Sequence, residues 1–353
     1  MGKHIGNMTA QLSHALGGIA HIHASDDYIL AEQRGVPSVE PPDTLRCFRL
    51  PRRVMEGAWM WSDCPPIDLF GGDQDWIYCP AEYYVARRKS RLAVTIHCDN
   101  WFNNELPWYH DKDIANTRRR RSKLYERIAT NADKIFCVSE FLKQRIMRQF
   151  KVSGDKIVVI GNGVEDAFFS SLDMPDRLAR VLDGSPYACI VGGLTRRKGG
   201  AANLKIMTEM AAERADFKFV IVGTSEPFFA SAISNLPNVV QAGYVDIKEG
   251  LPGLLARATC LLFLSRYETF GIPAVEAMAA GTIPIVSNYG ALPEVVGNLG
   301  LVLNQNQYRD VPSILKDLVY RKTNLDLKEA LKSRAREFTW HGCATRVLNA
   351  LDN

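Results

Sequence analysis

Short apolar runs alternate with amphipathic stretches along most of the chain, and this alternation constrains the fold more than any other feature of the sequence. In the second half, apolar runs at 187–191, 217–222, 259–264, 283–287 and 300–303 are separated by glycine turns and by stretches with helical spacing. Buried parallel strands joined by helices produce this pattern. The second half is therefore predicted to be a doubly wound α/β domain.

The first half shows a less regular form of the same pattern, with strand-like runs at 46–50, 76–79, 93–97, 134–138 and 156–160. At roughly 150 residues per domain, a chain of 353 residues is expected to form two domains. Both domains are predicted to contain a parallel sheet covered by helices.

We expect the first domain to span residues 1–168 and the second to span residues 187–330. The interval 169–186 is polar, contains prolines and lacks a long apolar run, so it is predicted to be the linker. A helical segment over residues 331–353 is expected to return toward the first domain.

Charge, cysteine and hydropathy patterns exclude several classes of protein. The net charge of +4 is too small to make nucleic acid the expected partner of the whole chain. No apolar run approaches the roughly 20 residues of a membrane-spanning helix, and the first residues do not resemble a signal peptide. The eight cysteines never form a C-x-x-C pair, which favours buried reduced thiols. We expect a cytoplasmic chain without a nucleic-acid partner.

The most informative stretch is Glu268-Thr-Phe-Gly-Ile-Pro-Ala-Val-Glu276, which follows an apolar strand and carries Pro273 where a helix would begin. A helix start presents free backbone N–H groups and the positive end of a dipole, which suit a diphosphate. Glu268 is expected just before the turn and Glu276 in the first helical turn, so both carboxylates could accept sugar and ribose hydroxyls in one crevice. The alternative is a solvated loop glutamate and a helix-start glutamate favoured by the dipole.

A second candidate is Gly192-Gly-Leu-Thr-Arg-Arg-Lys-Gly199, which also follows a strand and combines glycines with three cations. Open parallel sheets bind ligands at the carboxyl ends of their strands. Arginine and lysine would neutralise phosphate charge there. The alternative is a solvated turn.

Together these two segments resemble the C-terminal half of the retaining GT-B glycosyltransferases of family 4, whose signature is two glutamates separated by seven residues after a G-x-x-x-x-x-K-G turn. Further segments similar to the family are 94–97, 132–140, 161–164, 243–245 and 287–297. The resemblance implies an α/β fold of GT-B type, with two Rossmann-like doubly wound domains facing a central cleft. It also implies sugar transfer from a nucleotide diphosphate donor to a hydroxyl acceptor with retention at the anomeric carbon.

The resemblance further assigns roles to single residues of the donor side. Glu276 would hold the donor ribose, Glu268 would contact the transferred sugar, and Lys198 would bind the diphosphate. The arginine that often follows the first glycine of the turn is Gly193 here, and we expect Arg197 to replace it. The remaining donor-binding residues are Phe270, Gly271 and Ile272, which offer backbone donors to phosphate and sugar, and Val245 in the base-binding turn.

On the acceptor side, the resemblance implies that His97, at the end of a strand, touches the sugar near the reacting centre. An ordinary strand-end histidine is the alternative. Gly6 and Asn7 belong to a segment similar to the family's N-terminal glycine loop, which approaches acceptor and phosphate. No apolar strand precedes this loop. We therefore expect either that the natural protein carries such a strand upstream or that the segment 18–24 shifts inward to fill the central position of the sheet.

We expect neither a metal nor another cofactor, because cations and a helix start can meet the charge of the leaving diphosphate. Asp111 and Asp113 have a spacing seen in metal sites, but a solvated loop is the favoured interpretation. His21 and His23 would lie on one face of a strand, yet no neighbouring carboxylate or cysteine completes a cluster.

The first half also contains a basic patch, with 11 Lys/Arg against 5 Asp/Glu between residues 87 and 127. A solvated helix face is one interpretation of this patch. A docking site for anionic lipid head groups or a lipid-linked pyrophosphate acceptor is another, and RNA binding is a third. The second interpretation rests on the run Arg118, Arg119, Arg120, Arg121 and on the upstream aromatic residues Trp101, Phe102, Trp108 and Tyr109.

The predicted function is that of a retaining, metal-independent hexosyltransferase that uses a GDP- or UDP-sugar. The expected acceptor is a glycan or lipid-linked glycan in polysaccharide or glycoconjugate assembly, with peripheral contact to a membrane through the basic run. A non-catalytic GT-B protein that binds sugar nucleotides is the alternative, although the intact glutamate pair favours an enzyme. A GT-B phosphorylase or epimerase is a further alternative.

Overall fold

The computed structural model of the chain describes residues 22–24, 46–48, 52–71, 75–106, 109–110, 115–170, 173–214, 216–320 and 325–352. The chain divides into two compact units. The first comprises Met1–Gly163 together with Trp340–Asn353, and the second comprises Val164–Thr339. The division thus lies a few residues before the domain end expected at residue 168.

The described strands of the first unit form two parallel sheets. Their bounds are β1 Ile22–Ala24, β2 Arg46–Phe48, β3 Trp76–Cys79, β4 Arg91–Ile96, β5 Lys134–Cys137 and β6 Ile157–Val159. Strands β1 and β2 pair with each other, and the other four follow the order β3-β4-β5-β6. The helices are α1 Arg52–Trp61, α2 Asp68–Gly71, α3 Ala115–Asn131 and α4 Glu140–Phe150.

Strand β4 is buried from Leu92 to Ile96, as a nearly continuous apolar run predicts for an inner parallel strand. Strand β1, in contrast, pairs with β2 from Ile22 opposite Arg46 to Ala24 opposite Phe48. Within the described part of the chain, β1 does not join the four-stranded sheet. Residues 22–24 of the segment expected to shift inward thus pair with β2, and the shift itself stays a prediction.

The second unit contains one six-stranded parallel sheet among its described residues, in the order β12-β11-β10-β7-β8-β9. Its strands are β7 Tyr187–Val191, β8 Lys218–Val222, β9 Val239–Gly243, β10 Cys260–Phe263, β11 Pro284–Ser287 and β12 Leu301–Leu303. Its helices are α5 Ala167–Ser170, α6 Asp176–Leu182, α7 Gly200–Glu213, α8 Pro227–Ile233, α9 Leu251–Ala256, α10 Ile272–Ala279, α11 Leu292–Val296, α12 Val311–Tyr320 and α13 Leu325–Ala335. The predicted doubly wound α/β architecture of this half is confirmed.

The core of the second unit lies between its sheet and the helices that flank it. Phe217 and Phe219 meet edge to face at 5.4 Å between ring centroids, and Met207 and Met210 of α7 belong to the same buried cluster. Each such side chain contributes about 1.5–3 kcal/mol when fully buried. Because all six strands are parallel, the loops after β7, β8, β9 and β10 emerge at one edge of the sheet, where the candidate site is found.

The last helix, α14 Trp340–Asp352, returns to the first unit. Its residues Trp340, Cys343 and Val347 pack in one buried cluster with Ala93 and Phe136 of the four-stranded sheet. The indole Nε1 of Trp76 also donates a hydrogen bond of 2.8 Å to the carbonyl of Leu351. The C-terminal helix is therefore part of the first unit's core.

Seven cysteines are free in the described residues, and all of them except Cys64 are buried. Burial raises the pKa of Cys79 and of Cys189 to about 12, so these thiols stay protonated near neutral pH. No helix in the described ranges combines the length and the apolar character needed to cross a membrane.

Candidate active site

The candidate site of the second unit is centred on the carboxylate of Glu268, in the loop after β10. Its Oε1 accepts three hydrogen bonds, from Lys198 Nζ at 2.7 Å, Arg197 Nη1 at 3.1 Å and Ser265 Oγ at 2.8 Å. All hydrogen bonds recorded for this carboxylate go to Oε1, so Oε2 has no partner among the described residues. Oε1 thus anchors the carboxylate, and Oε2 can accept a hydroxyl from a ligand.

The charges of this cluster stabilise one another despite their burial. Burial alone would raise the pKa of Glu268, but the charges of Lys198 and Arg197 and the hydrogen bonds from Lys198 and Ser265 hold that pKa below its usual range. Burial lowers the pKa of Lys198, and Arg197 lowers it further, while Glu268 and Glu276 oppose this shift. Glu268 therefore remains an anion at neutral pH.

The turn after β7 delivers the two cations. The N–H groups of Gly192 and Gly193 both donate to the carbonyl of Val222 at 2.8 Å, which ties this turn to the end of β8. Gly193 has φ +72°, and a Cβ placed on it would lie 2.0 Å from the carbonyl oxygen of Thr224. An arginine at position 193 would not fit without backbone movement. The guanidinium of this site comes instead from Arg197, which contacts Glu268.

The backbone around Glu268 is held by the loop after β11. The N–H of Ala291 donates to the carbonyl of Glu268 at 2.8 Å. Gly290 has φ +68°, and a Cβ on it would lie 2.0 Å from that same carbonyl oxygen. The hydroxyl of Ser287 donates to the carbonyl of Ser265, and both serines are fully buried. The glutamate therefore stands on a fixed loop.

Helix α10 begins directly after this loop. Gly271 caps it with φ +109°, and Ile272 is its first residue, one position before the predicted start at Pro273. Glu276 is consequently the fifth helical residue, so its predicted place in the first turn is wrong. Phe270 is buried and meets Phe338 edge to face at 5.6 Å between ring centroids. The first N–H groups of a helix have no partner within it, and here they lie beside Glu268 in the chain.

Two further predicted donor residues belong to the second unit. Glu276 is half-buried and lies close enough to Lys198 to raise the pKa of that lysine. Val245 follows β9 and is buried, at 2% exposure. The structure thus brings Arg197, Lys198 and Glu268 into direct contact, with Glu276 nearby, and places Val245 at the end of another strand of the same sheet.

His97, the predicted acceptor-side residue, lies in the first unit just after β4 and is buried. Its Nε2 lies 2.8 Å from the carbonyl oxygen of Pro80. A carbonyl only accepts, so Nε2–H donates this hydrogen bond. The N–H groups of His97 and Cys98 both donate to Oε1 of Glu82, at 2.8 and 3.3 Å. The segment from Pro80 to Glu82 therefore holds both the ring and the backbone of His97.

The chain just after His97 contains a buried ion pair. Arg145 Nε lies 3.3 Å from Asp99 Oδ2, which also accepts from Asn103 Nδ2 at 2.9 Å. Arg145 extends to Glu105, 2.7 Å away. This network fixes the loop that follows β4 against helix α4. That helix is capped by Ser139, whose Oγ accepts the N–H of Leu142 at 3.1 Å.

Several predicted residues lie outside the described part of the chain, namely Gly6, Asn7, His21, Asp111, Asp113 and Trp108. In the described residues, no three His, Cys, Asp or Glu side chains are arranged to hold a metal ion. The absence of a metal requirement stays a prediction.

Ser265 and Glu82 were not among the residues predicted from the sequence. Ser265 lies two residues after the last residue of β10, so its place at the carboxyl end of a strand was a signal that could have identified it. Glu82 offers no such signal, because its partners are backbone N–H groups 15 and 16 residues away.

Two family models match the chain. One, described as Glycosyl transferases group 1, covers residues 179–338, and the other, described as Glycosyltransferase Family 4, covers residues 4–168. The O-antigen chain mannosyltransferase B of Escherichia coli is 28% identical over 325 residues, which represent 88% of this chain and 80% of that protein. The phosphatidylinositol N-acetylglucosaminyltransferase GPI3 subunit of Saccharomyces cerevisiae is 25% identical over 66% of this chain and 53% of its own length.

The crystal structure of Anabaena HepE in complex with UDP and glucose has a TM-score of 0.66 with this chain at 15% identity. The likeness covers 99% of this chain and 96% of that protein. At such low identity, this similarity is evidence for the fold and for nothing more specific.

Proposed function

The chain belongs to the glycosyl transferases of group 1 and has the GT-B fold, and from this premise we propose that it is a retaining, metal-independent hexosyltransferase. It takes its sugar from a GDP- or UDP-sugar and transfers it to a hydroxyl of a glycan or lipid-linked glycan. The observation that carries the proposal is the cluster of Lys198, Arg197 and Glu268 beside the start of α10. It combines cations for a diphosphate with a carboxylate for sugar hydroxyls.

In this proposal the donor lies along the edge formed by the carboxyl ends of β7, β9 and β10. Lys198, Arg197 and the N–H groups at Gly271 and Ile272 bind the diphosphate. Oε2 of Glu268 accepts a hydroxyl of the transferred sugar, and Glu276 accepts the ribose hydroxyls. Val245 contributes to the turn that contacts the base.

In the proposed reaction, negative charge develops on the leaving diphosphate, next to two cations of the protein. The bond between the anomeric carbon and the phosphate oxygen breaks, and the acceptor oxygen forms the new bond from the same face. The acceptor proton passes to the departing phosphate oxygen, so configuration is retained and no side-chain nucleophile is required. Lys198 and Arg197 stabilise the negative charge on the leaving diphosphate.

The first unit is proposed to bind the acceptor, with His97 near the transferred sugar. The names of the bacterial and yeast relatives, an O-antigen chain mannosyltransferase and a phosphatidylinositol N-acetylglucosaminyltransferase subunit, favour a polysaccharide or lipid-linked acceptor.

Peripheral binding to an anionic membrane is also part of the proposal, but the residues proposed to contact lipid differ from those expected from the sequence. Phe102 is buried against Tyr125 and Phe150, so the predicted aromatic partner is wrong at this position. Trp61 of α1 is 83% exposed, and Nζ of Lys123 lies 5.5 Å from its ring centroid. An exposed indole beside a lysine suits the headgroup region of a membrane.

Within the basic run, the four arginines are not equivalent. Arg118 donates to the carbonyl of Tyr109 and stacks on that ring at 4.5 Å. Arg119 and Arg120 are exposed on α3. We therefore assign lipid contact to Arg119, Arg120, Lys123 and Trp61, and a structural contact to Arg118.

The enzymatic part is tested by incubating the protein with GDP-, UDP- and ADP-sugars and measuring release of the nucleoside diphosphate. One nucleotide is expected to support release, and NMR of an acceptor product is expected to show the anomeric configuration of the donor. An inverted product would contradict the mechanism. Binding of a sugar nucleotide without turnover in the presence of glycan and lipid-linked acceptors would favour the non-catalytic alternative.

The membrane part is tested by sedimentation with vesicles containing anionic lipid. The triple variant R119S/R120S/K123S and the single variant W61S are expected to bind less than the wild type. The matched control is K205S/R309S, which removes two exposed cations of the second unit, 72% and 79% exposed at their side chains. Equal sedimentation of all proteins would leave a solvated helix face as the interpretation of the basic run.

A further inference from the structure

The cations that the proposed function assigns to a diphosphate are already bound to a carboxylate of the protein itself. Lys198 Nζ and Arg197 Nη1 both contact Oε1 of Glu268, at 2.7 and 3.1 Å. The side chains of Lys198 and Glu268 are each only 13% exposed, so water screens this pair weakly. An incoming phosphate meets two cations that share one carboxylate, so half of their positive charge is already balanced.

A diphosphate at Lys198 and Arg197 therefore has two effects on Glu268. It attracts the same two cations, and it brings negative charge next to an existing carboxylate, which is repelled. Ser265 does not relieve this conflict, because its hydroxyl donates to the same Oε1. When a diphosphate binds, Glu268 therefore loses part of its contacts with Lys198 and Arg197.

From these contacts, and resting on the proposed function, we propose that Glu268 is an internal competitor of the diphosphate. In the nucleotide-free protein it neutralises Lys198 and Arg197, and it yields part of these contacts when a diphosphate binds. An intact donor compensates for the loss, because its sugar offers hydroxyls to the displaced carboxylate. A nucleoside diphosphate without sugar offers none.

Because of Glu268, the site consequently binds the sugar nucleotide in preference to the nucleoside diphosphate that remains after transfer. The donor replaces the lost ion-pair contacts with sugar hydrogen bonds, whereas the product leaves the carboxylate repelled by phosphate. The same glutamate that orients the sugar before transfer therefore weakens retention of the nucleoside diphosphate after transfer.

The test measures binding of inorganic pyrophosphate, UDP and GDP by isothermal titration calorimetry, since these probes lack the sugar that Glu268 would contact. E268Q and E268A are expected to bind pyrophosphate roughly tenfold more tightly than the wild type, as for release of one charge-assisted contact. The gain is expected to disappear when E268Q is combined with K198M, because no lysine is then released.

Glu226 provides a matched control for the loss of one negative charge. It lies just after β8 at the same edge of the sheet, and its Oε1 accepts the backbone N–H of Arg196 at 3.1 Å. E226Q is expected to leave pyrophosphate affinity within roughly twofold of the wild type, because a backbone N–H is not a cation that it releases. Thermal unfolding of every variant checks that each is folded.

Failure of the inference and failure of the proposed function give different results. If the wild type binds UDP or GDP and E268Q and E268A bind pyrophosphate equally well or less tightly, Glu268 orients the cations and does not compete, and the inference is overturned. An equal gain in E226Q would also overturn it. If neither the wild type nor the Glu268 variants bind pyrophosphate, UDP or GDP, the proposed function itself is wrong.

Discussion

The two units hold their candidate functional side chains in different ways. In the second unit, Glu268 is held by three other side chains, those of Lys198, Arg197 and Ser265. In the first unit, His97 is held by the carbonyl of Pro80 and by backbone N–H bonds to Glu82. Side-chain donors can rotate toward a ligand, whereas a backbone N–H in a buried loop cannot leave without moving the chain. The contacts of Glu268 in the second unit can therefore be exchanged for contacts with a ligand, whereas those of His97 in the first unit hold one fixed geometry.

The difference extends to the surrounding charges. The carboxylate of Glu268 and the two cations next to it retain partial access to solvent. Among the described residues, Oε2 of that carboxylate has no hydrogen-bond partner. The corresponding pair in the first unit, Asp99 with Arg145, has a fully buried carboxylate and is joined to Asn103. Removing one partner of such a buried pair lowers the free energy of unfolding by more than the intact pair contributes to it, because the other charge is left buried and unpaired.

Replacing Glu268 should break the exchangeable arrangement with the largest effect on activity. E268A is expected to lower kcat about 10- to 100-fold, the worth of one charge-assisted hydrogen bond to the sugar. E276A is expected to raise the donor KM by a similar factor with a smaller effect on kcat, since it is assigned to the ribose. Steady-state kinetics with a sugar nucleotide that the wild type uses would measure both.

The control for this pair is E226A, which removes a glutamate from the same edge of the sheet without a predicted donor contact. Its kcat and KM should match those of the wild type. Unchanged kinetics in E268A and E276A would show that the assigned roles are wrong, whatever the fold.

Replacing Glu82 should break the fixed arrangement and lower stability. E82A removes the acceptor of two buried backbone N–H groups, those of His97 and Cys98, and is expected to cost about 2 kcal/mol of unfolding free energy. E82Q keeps one carbonyl oxygen that can accept from both N–H groups, so its loss of unfolding free energy should be less than half that of E82A. Urea unfolding of the whole chain, followed by circular dichroism, would measure the difference.

A role for Glu82 in positioning His97 would also appear in the kinetics. E82A should lower kcat in the fraction that remains folded, and E82Q should restore most of it. If E82A and E82Q were equally unstable and equally slow, the charge of Glu82 and not its acceptor geometry would be the important property.

The same contrast explains what the sequence could predict. The parallel sheet of the second unit follows from its apolar runs, since inner strands such as β10 are apolar at every position. Lys198 and Glu268 were each predicted to lie at a candidate ligand-binding turn after a strand, and the shared edge at the carboxyl ends of parallel strands accounts for their contact. Local pattern and topology were sufficient there.

Other features depend on contacts that no local pattern encodes. Glu82 was missed because its partners are backbone atoms on the next strand's end. The first turn of α10 was placed one residue late because Pro273 is compatible with either of the first helical positions, and Gly271 fixed the actual start through its φ of +109°. Phe102 was assigned to the lipid-docking site because it lies just upstream of the basic run, but it packs on Tyr125 in the folded unit.

Removing the hydroxyl of Ser265 should sharpen the comparison with a smaller effect. Ser265 donates to Glu268, and this bond lowers the pKa of that carboxyl. In S265A the pKa of Glu268 should therefore rise. On acidification, its carboxylate should then become protonated at a higher pH than in the wild type. The acid limb of kcat/KM against pH is expected to move to higher pH, and the plateau is expected to fall only severalfold.

The matched variant is S287A. Ser287 donates to the carbonyl of Ser265 and has no recorded contact with the glutamate, so its loss should leave the acid limb in place. A shift of equal size in both variants would mean that the loop, and not the hydrogen bond to the carboxylate, determines the titration.

The smallest expected effect is that of a chelator, and it tests whether the second unit supplies all of the charge that the leaving diphosphate needs. Lys198 and Arg197 provide two cations, and the start of α10 adds partial positive charge from its N–H groups. Activity should therefore be unchanged after treatment with EDTA and removal of the chelator by desalting. K198M should lose most activity under both conditions, and Mg²⁺ or Mn²⁺ should not restore it. If EDTA abolished wild-type activity and either ion restored it, the cation exchanged at this site would be a metal, and the assignment of the leaving-group charge to protein side chains would be wrong.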